Sequence, residues 1–347
     1  MFKRRTLFIV GAGASAEVGM PMGIELAKRI AKLVDFKAAE PGLDQGDGDM
    51  HFLGQFYRRY QALNAHRQAG WAIRDGVRLT HSIDDFLDMH SDNDMVQRMG
   101  KAAIAQTILT AETNSYLFFN PYSYQETINK IEGTWYMKFF RMLGRGINVN
   151  NAKEIFEPVS FIIFNYDRCV EHFLINALSL VYTTPLNDAA SIVSDLNIIH
   201  PYGTVGNLPS LSKTDPVPYG PLRDGTFDYT ALAERIKTYT EQIGGAEETN
   251  AIRNEMRRAE CIVFLGFGYH EQNLALINAG EELKSIPVFG TAYGFSAHNC
   301  EVVQQQIERM FQRPPPKIIS RSPVVIDRDV TSAGLFDNYA QSLTSRK

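Results

Sequence analysis

Four short stretches of the chain carry residue types and spacings that could do chemistry. Gly11-Ala12-Gly13-Ala14-Ser15 follows the apolar run Leu7 to Val10 and precedes a helical pattern from Ile24 to Val34, which is the order strand, glycine turn, helix. Such a turn lets backbone N–H groups approach a diphosphate closely, and the helix N-terminus adds about half a positive charge to hold it. Asn165-Tyr166-Asp167 closes the run Val159 to Phe164, His200 follows Leu196 to Ile199, and Gly266-Phe267-Gly268-Tyr269 follows Cys261 to Leu265. Open α/β sheets bind ligands just past the carboxyl ends of their strands, so these side chains fall where a nucleotide would. Each stretch also has a plain structural reading. Gly11, Gly13, Gly266 and Gly268 could serve packing alone, Asn165 is a common turn residue, and a histidine beside Pro201 is often structural.

The elements that must position these residues read as an α/β fold: a Rossmann-like parallel sheet with helices on both faces and a helical insertion. Val159 to Phe164 and Cys261 to Leu265 are apolar throughout, as in strands buried on both sides. Glu40 to Asp49 is dense in Gly and Asp and reads as an exposed loop. From about Phe52 to Leu143 the apolar spacing is helical. Residues 1–35 and 151–347 are therefore expected to form one discontinuous nucleotide-binding domain and residues 36–150 the insertion. Within the insertion Ser82 caps a helix whose first turn holds Asp84 and Asp85. Trp135, Tyr136, Phe139 and Phe140 form an aromatic stripe that reads as a core seam. Thr204 to Thr226 is rich in Pro, Gly and Ser and reads as a long surface loop over the cleft. Helices are predicted over Ala231 to Ile243, Ile252 to Ala259, Asn273 to Leu283 and Val302 to Phe311, and a strand over Pro287 to Tyr293. An edge strand is predicted at Val324 to Ile326.

Gly11 to Ala16 has the dinucleotide form G-x-G-x-x-A, but a dehydrogenase also needs an acid at the end of a second strand about 20 residues on. Asp35 is near that distance and closes a helix instead. The turn then runs on through Glu17, Gly19, Pro21 and Gly23. This extended form, Gly-Ala-Gly-Ala-Ser-Ala-Glu-Val-Gly-Met-Pro, resembles the NAD-binding turn of the sirtuin family, more closely its sirtuin-like branch in bacteria. The order and type of the other three stretches match the sirtuin NAD site as well, and Ile83-Asp84-Asp85-Phe86-Leu87 resembles a helix start in the insertion of sirtuin-like defence proteins.

The resemblance implies NAD as substrate. Asn165 would contact the ribose and position the attacking water, and Asp167 would hydrogen-bond the nicotinamide carboxamide. His200 would bind the ribose hydroxyls and accept a proton as general base. Ala12 to Ser15 would cradle the diphosphate. Gly266, Phe267 and Gly268 would leave room for the adenosine half, and Glu17, Pro21, Met22 and Tyr269 complete the implied binding set. The transition state for losing nicotinamide resembles an oxocarbenium ion, which suits a neutral amide.

Departures from the deacylating sirtuins are informative. Cys169, Cys261 and Cys300 make no C-x-x-C pair, so no zinc ribbon is expected. The arginine after the turn's Pro is replaced by Met22-Gly23-Ile24, and Pro201-Tyr202 separates His200 from its Gly. With no acyl-lysine segment evident, water is the expected acceptor and the reaction is NAD hydrolysis to nicotinamide and ADP-ribose. The zinc-less branch includes bacterial proteins that deplete NAD upon phage infection. A catalytically silent NAD or ADP-ribose-binding module and a protein ADP-ribosyltransferase or deacylase are the alternatives. A dehydrogenase ranks last.

At 347 residues with 44% hydrophobic and 21% charged residues the chain is long and apolar enough to fold. With 35 Lys and Arg against 39 Asp and Glu, net charge −4, nothing suggests capture of a nucleic-acid backbone. No apolar run reaches the roughly 18 residues a membrane span needs, and the N-terminal run is too short for a signal peptide. A cytoplasmic protein is expected, controlled by homo-oligomer contacts or a separate regulatory protein.

Overall fold

The computed structural model describes residues 1–37, 46–119, 123–220, 227–243, 246–278, 285–311 and 323–345. Strand β1 (Thr6–Val10) is buried along its whole length. Thr-Leu-Phe-Ile-Val has no polar face to offer water, which suits a central strand of a parallel sheet. The other strands are β2 (Val159–Ile163), β3 (Ile198–Ile199), β4 (Cys261–Leu265), β5 (Val288–Thr291) and β6 (Val324–Asp327). They form one parallel sheet in the order β3-β2-β1-β4-β5-β6. The chain steps outward from β1 in one direction to β3, then returns beside β1 and steps the other way. This is a Rossmann-like arrangement, and the reversal between β1 and β4 is where such sheets leave a crevice at their carboxyl edge. Register sharpens the point. Thr6 pairs with both Val159 and Cys261, and Val10 with both Ile163 and Leu265, so the three central strands end level.

Between β1 and β2 lie α1 (Ala12–Ala16), α2 (Gly23–Leu33), α3 (Met50–Tyr60), α4 (Leu63–Gly76), α5 (Ile83–Met89), α6 (Asp94–Asn114), α7 (Tyr124–Ile131) and α8 (Trp135–Leu143). The N-cap residue's own side chain closes three of them: Asp49 accepts from His51 and Phe52 N–H at the start of α3, Ser82 from Asp85 N–H at α5, and Asn93 from Met95 and Val96 N–H at α6. The predicted stripe on α8 is buried, but it faces the sheet. The Phe139 ring lies 5.1 Å from Phe8 and 5.5 Å from Phe161. Large aromatics gain most where they meet other apolar surface, so α8 belongs to the core of the sheet.

Helices α9 (Cys169–Tyr182) and α10 (Leu186–Ser194) join β2 to β3. Helices α11 (Tyr229–Leu232), α12 (Tyr239–Ile243) and α13 (Ala246–Arg258) precede β4. The helix predicted over Ala231 to Ile243 is broken, because Ile236 is extended and Lys237 N–H donates to the Tyr202 carbonyl at 3.0 Å. A tertiary hydrogen bond there outcompetes helical continuation. Helix α14 (Glu271–Ile277) is shorter than its predicted Asn273 to Leu283 span, of which residues 279–283 lie outside the described residues. Helix α15 (Ala297–Met310) precedes β6. A helix without a sequence prediction, α16 (Ser332–Thr344), follows it and stacks Phe336 on Trp135 of α8 at 6.2 Å. Among the described residues no helix is long and apolar enough to cross a membrane.

Candidate functional site

The turn after β1 and the turn after β4 are built against each other. Gly11 N–H donates to Leu265 O and Gly13 N–H to Gly266 O, both at 2.9 Å. A Cβ on Gly11 would lie 2.6 Å from Gly266 O, and one on Gly13 2.9 Å from Gly266 Cα. Gly266 has φ +54°, and a Cβ there would overlap Ala14 N. These glycines thus have a packing reason of their own, and the packing brings two backbones together at the carboxyl ends of β1 and β4. Changing Gly266 to alanine is expected to destabilise the protein by about 1–3 kcal/mol, because the residue would be strained and overlapping at once. Gly23→Ala is the control. Nothing lies within 4 Å of its Cβ position at the start of α2, so its thermal midpoint should hold or rise slightly.

Asn165 stands two residues past β2 and is buried. Its Nδ2 donates to Gly11 O at 3.1 Å and to Ser15 Oγ at 2.9 Å. The side chain therefore spans from β2 to the turn after β1, the contact that level strand ends make possible. Asp167 is also buried, and its Oδ1 accepts from Cys169 N–H at 3.1 Å. Burial pushes its carboxyl above the usual range, opposed by its hydrogen bonds with Cys169 and Ser15.

His200 is largely buried just past β3. Its Nδ1 lies 3.2 Å from Asn165 O and its Nε2 2.8 Å from Glu171 Oε1. Glu171 is in the first turn of α9, and the sequence marks it only as part of a helix start. Its sole local clue is an acid in the first turn after a strand end. Burial alone would lower the His200 pKa and raise that of Glu171, but the mutual attraction wins in both, so His200 is raised and Glu171 lowered. The sign for stability follows. Raised His200 contributes fully below its ordinary 6.5 and loses the contribution as pH climbs through its folded value. Lowered Glu171 contributes above its ordinary 4.5 and loses it as pH falls through its folded value. Urea midpoints should therefore drop as pH climbs from below His200's ordinary 6.5 through its raised folded value, and Glu171→Gln should shrink that drop.

The remaining implied binding residues are placed differently from one another. Glu17 has both carboxylate oxygens engaged by backbone N–H groups. Its Oε2 accepts from Trp135 N–H at 2.9 Å and its Oε1 from Ala333 N–H at 2.8 Å, so one carboxylate caps both α8 and α16. Pro21 is buried, whereas Met22 at the start of α2 is 55% exposed. Phe267 and Tyr269 turn inward. Phe267 lies 5.1 Å from Phe164, and Tyr269 donates from its hydroxyl to Thr291 O at 3.1 Å. The Gly266 backbone is engaged as well, its N–H donating to Thr291 Oγ1 at 2.8 Å and its carbonyl accepting from Gly13 N–H. Ala12 and Ala14 lie in α1, the one-turn helix that the glycine turn opens.

Two residues flanking Asp167 are gripped by the insertion. The Tyr166 hydroxyl donates to Asp84 Oδ1, and burial pushes the Asp84 carboxyl up to about 6 despite that bond. The Arg168 guanidinium forms a buried pair with Glu112 of α6 and also donates to the carbonyls of Val217 at 2.5 Å and Pro218 at 3.0 Å. The segment predicted as a surface loop is accordingly tucked in, with Val205, Leu208, Val217 and Tyr219 buried. Residues 221–226 of that prediction lie outside the described residues.

Among the described residues no three His, Cys, Asp or Glu side chains gather so as to hold a metal ion, and the three cysteines are buried and unbridged. Compared with known proteins, the chain matches no family model and no curated protein.

Proposed function

We propose that this protein is an NAD glycohydrolase, cleaving NAD to nicotinamide and ADP-ribose at the carboxyl edge of the sheet, and that it acts as the NAD-depleting effector of a bacterial anti-phage defence system. The observation that carries the chemistry is Asn165. Its amide nitrogen is committed to Gly11 O and Ser15 Oγ, which fixes the side chain over the glycine turn and orients Oδ1 as an acceptor. A neutral acceptor there holds a ribose hydroxyl or a water without competing as a base for the developing oxocarbenium carbon. Asp167, held toward its protonated form by burial, suits a hydrogen bond to the carboxamide of the leaving group. The effector role rests on the sequence resemblance alone.

The engagement of both His200 nitrogens favours a second reading, a silent module that binds NAD or ADP-ribose and reports it to a partner. Incubation of the purified protein with NAD, followed by chromatography of the products, separates the two. Nicotinamide and ADP-ribose in equal amounts support the hydrolase. Binding of NAD in calorimetry with no product supports the module, and absence of both overturns the nucleotide site.

A further inference from the structure

His200 has an acceptor at each ring nitrogen, the Asn165 carbonyl at Nδ1 and the Glu171 carboxylate at Nε2. A neutral imidazole carries one N–H and satisfies only one of them; satisfying both takes the imidazolium. The carboxylate is well placed to hold that charge, since Glu171 lies in the first turn of α9, where the helix dipole favours an anion. The other charged groups facing the pair are Asp167, from the segment after β2, and Arg168, itself neutralised by Glu112 of α6. The contacts join into one chain of hydrogen bonds. It runs from Glu171 to His200 to the Asn165 peptide, and from the Asn165 side chain to Gly11 and Ser15, crossing the ends of β3, β2 and β1.

We infer that Glu171 and His200 are positioning residues of this site: the ion pair locks the Asn165 peptide, and His200 serves as a doubly donating imidazolium rather than as a proton acceptor. The inference rests on the proposed NAD cleavage and assigns its pH dependence. The pair is net neutral, so it sets no uncompensated charge beside a cationic transition state. Loss of the His200 proton at higher pH breaks one link of the chain and strands the Glu171 charge, whose Oε2 is already buried without a hydrogen-bond partner among the described residues.

Glu171→Gln tests this sharply. A glutamine amide donates to Nε2 of a neutral His200 while Nδ1–H still serves Asn165, so the chain keeps its connectivity without a titrating proton. Nicotinamide release by Glu171→Gln should stay within about threefold of wild type near neutral pH and lose the alkaline decline expected of wild type. Glu171→Ala, which severs the chain, should lose about 100-fold at every pH. A readout independent of turnover is the NMR titration of His200, assigned with His200→Asn, whose midpoint should fall in Glu171→Gln. An unmoved midpoint, or a glutamine variant as inactive as the alanine one, overturns the inference. If wild type neither binds nor cleaves NAD while the midpoint still falls, the proposed reaction fails and the ion pair stands.

Discussion

Replacing Asn165 with alanine is expected to cut nicotinamide release from NAD by about 100- to 1000-fold, the range seen when one placed polar group is removed from a transition state. The substitution removes the proposed acceptor and also the two bonds that hold β2 to the turn after β1. It leaves Gly11 O and Ser15 Oγ without that partner in a buried setting, so a loss of stability of about 1–3 kcal/mol should accompany it. Activity and stability are separated by comparing Asn165→Asp. The aspartate keeps the shape and an acceptor but sets a carboxylate against the Gly11 carbonyl, so it should also be impaired. Steady-state kcat/KM for both variants, with thermal melts beside them, is the measurement. An alanine variant that melts near wild type and releases nicotinamide at the wild-type rate would sink Asn165 as the centre of the chemistry.

The second large effect concerns the fold. Glu112→Gln is expected to cost about 3–5 kcal/mol, because it leaves the Arg168 guanidinium buried without its counter-charge. The side chains of Arg168 and Glu112 are 2% and 0% exposed. Glu112 also accepts from the backbone N–H groups of Arg168 and Gly220, at 3.3 and 3.2 Å. This one pair thus ties α6 to the segment carrying Asn165 and Asp167 and to the loop ending at Gly220. Replacing both partners by apolar residues often restores a buried pair's cost. Here Glu112→Leu with Arg168→Met should recover only part of it, since the carbonyls of Val217 and Pro218 lose their donor. Urea unfolding of the two single variants and the double variant measures the coupling; additive losses would show that the two side chains do not act as a pair.

These two residues also show how far the chain can be read without its fold. Val159 to Phe164 and Cys261 to Leu265 are legible as strands because an unbroken apolar run must be buried on both sides, and the residues just after such a run must lie at a sheet edge. Gly11 to Ser15, Asn165, Asp167, His200 and Gly266 were therefore locatable from neighbours a few positions away. The helix caps at Ser82 and the buried stripe on α8 are local in the same sense.

What joins these positions is not local. Only the register of β1 against β2 and β4 brings Gly11, Asn165 and Gly266 level. Glu17 reads like part of a ligand turn, yet its carboxylate caps two helices that begin 118 and more residues later. Glu171 and Glu112 look like ordinary helix acids, because a charge announces its presence in the sequence but not its partner. Burial then decides their role: an ionised group cannot stay desolvated alone, so the fold that buries it must also bring its counter-charge, and that pairing exists only once the chain has closed.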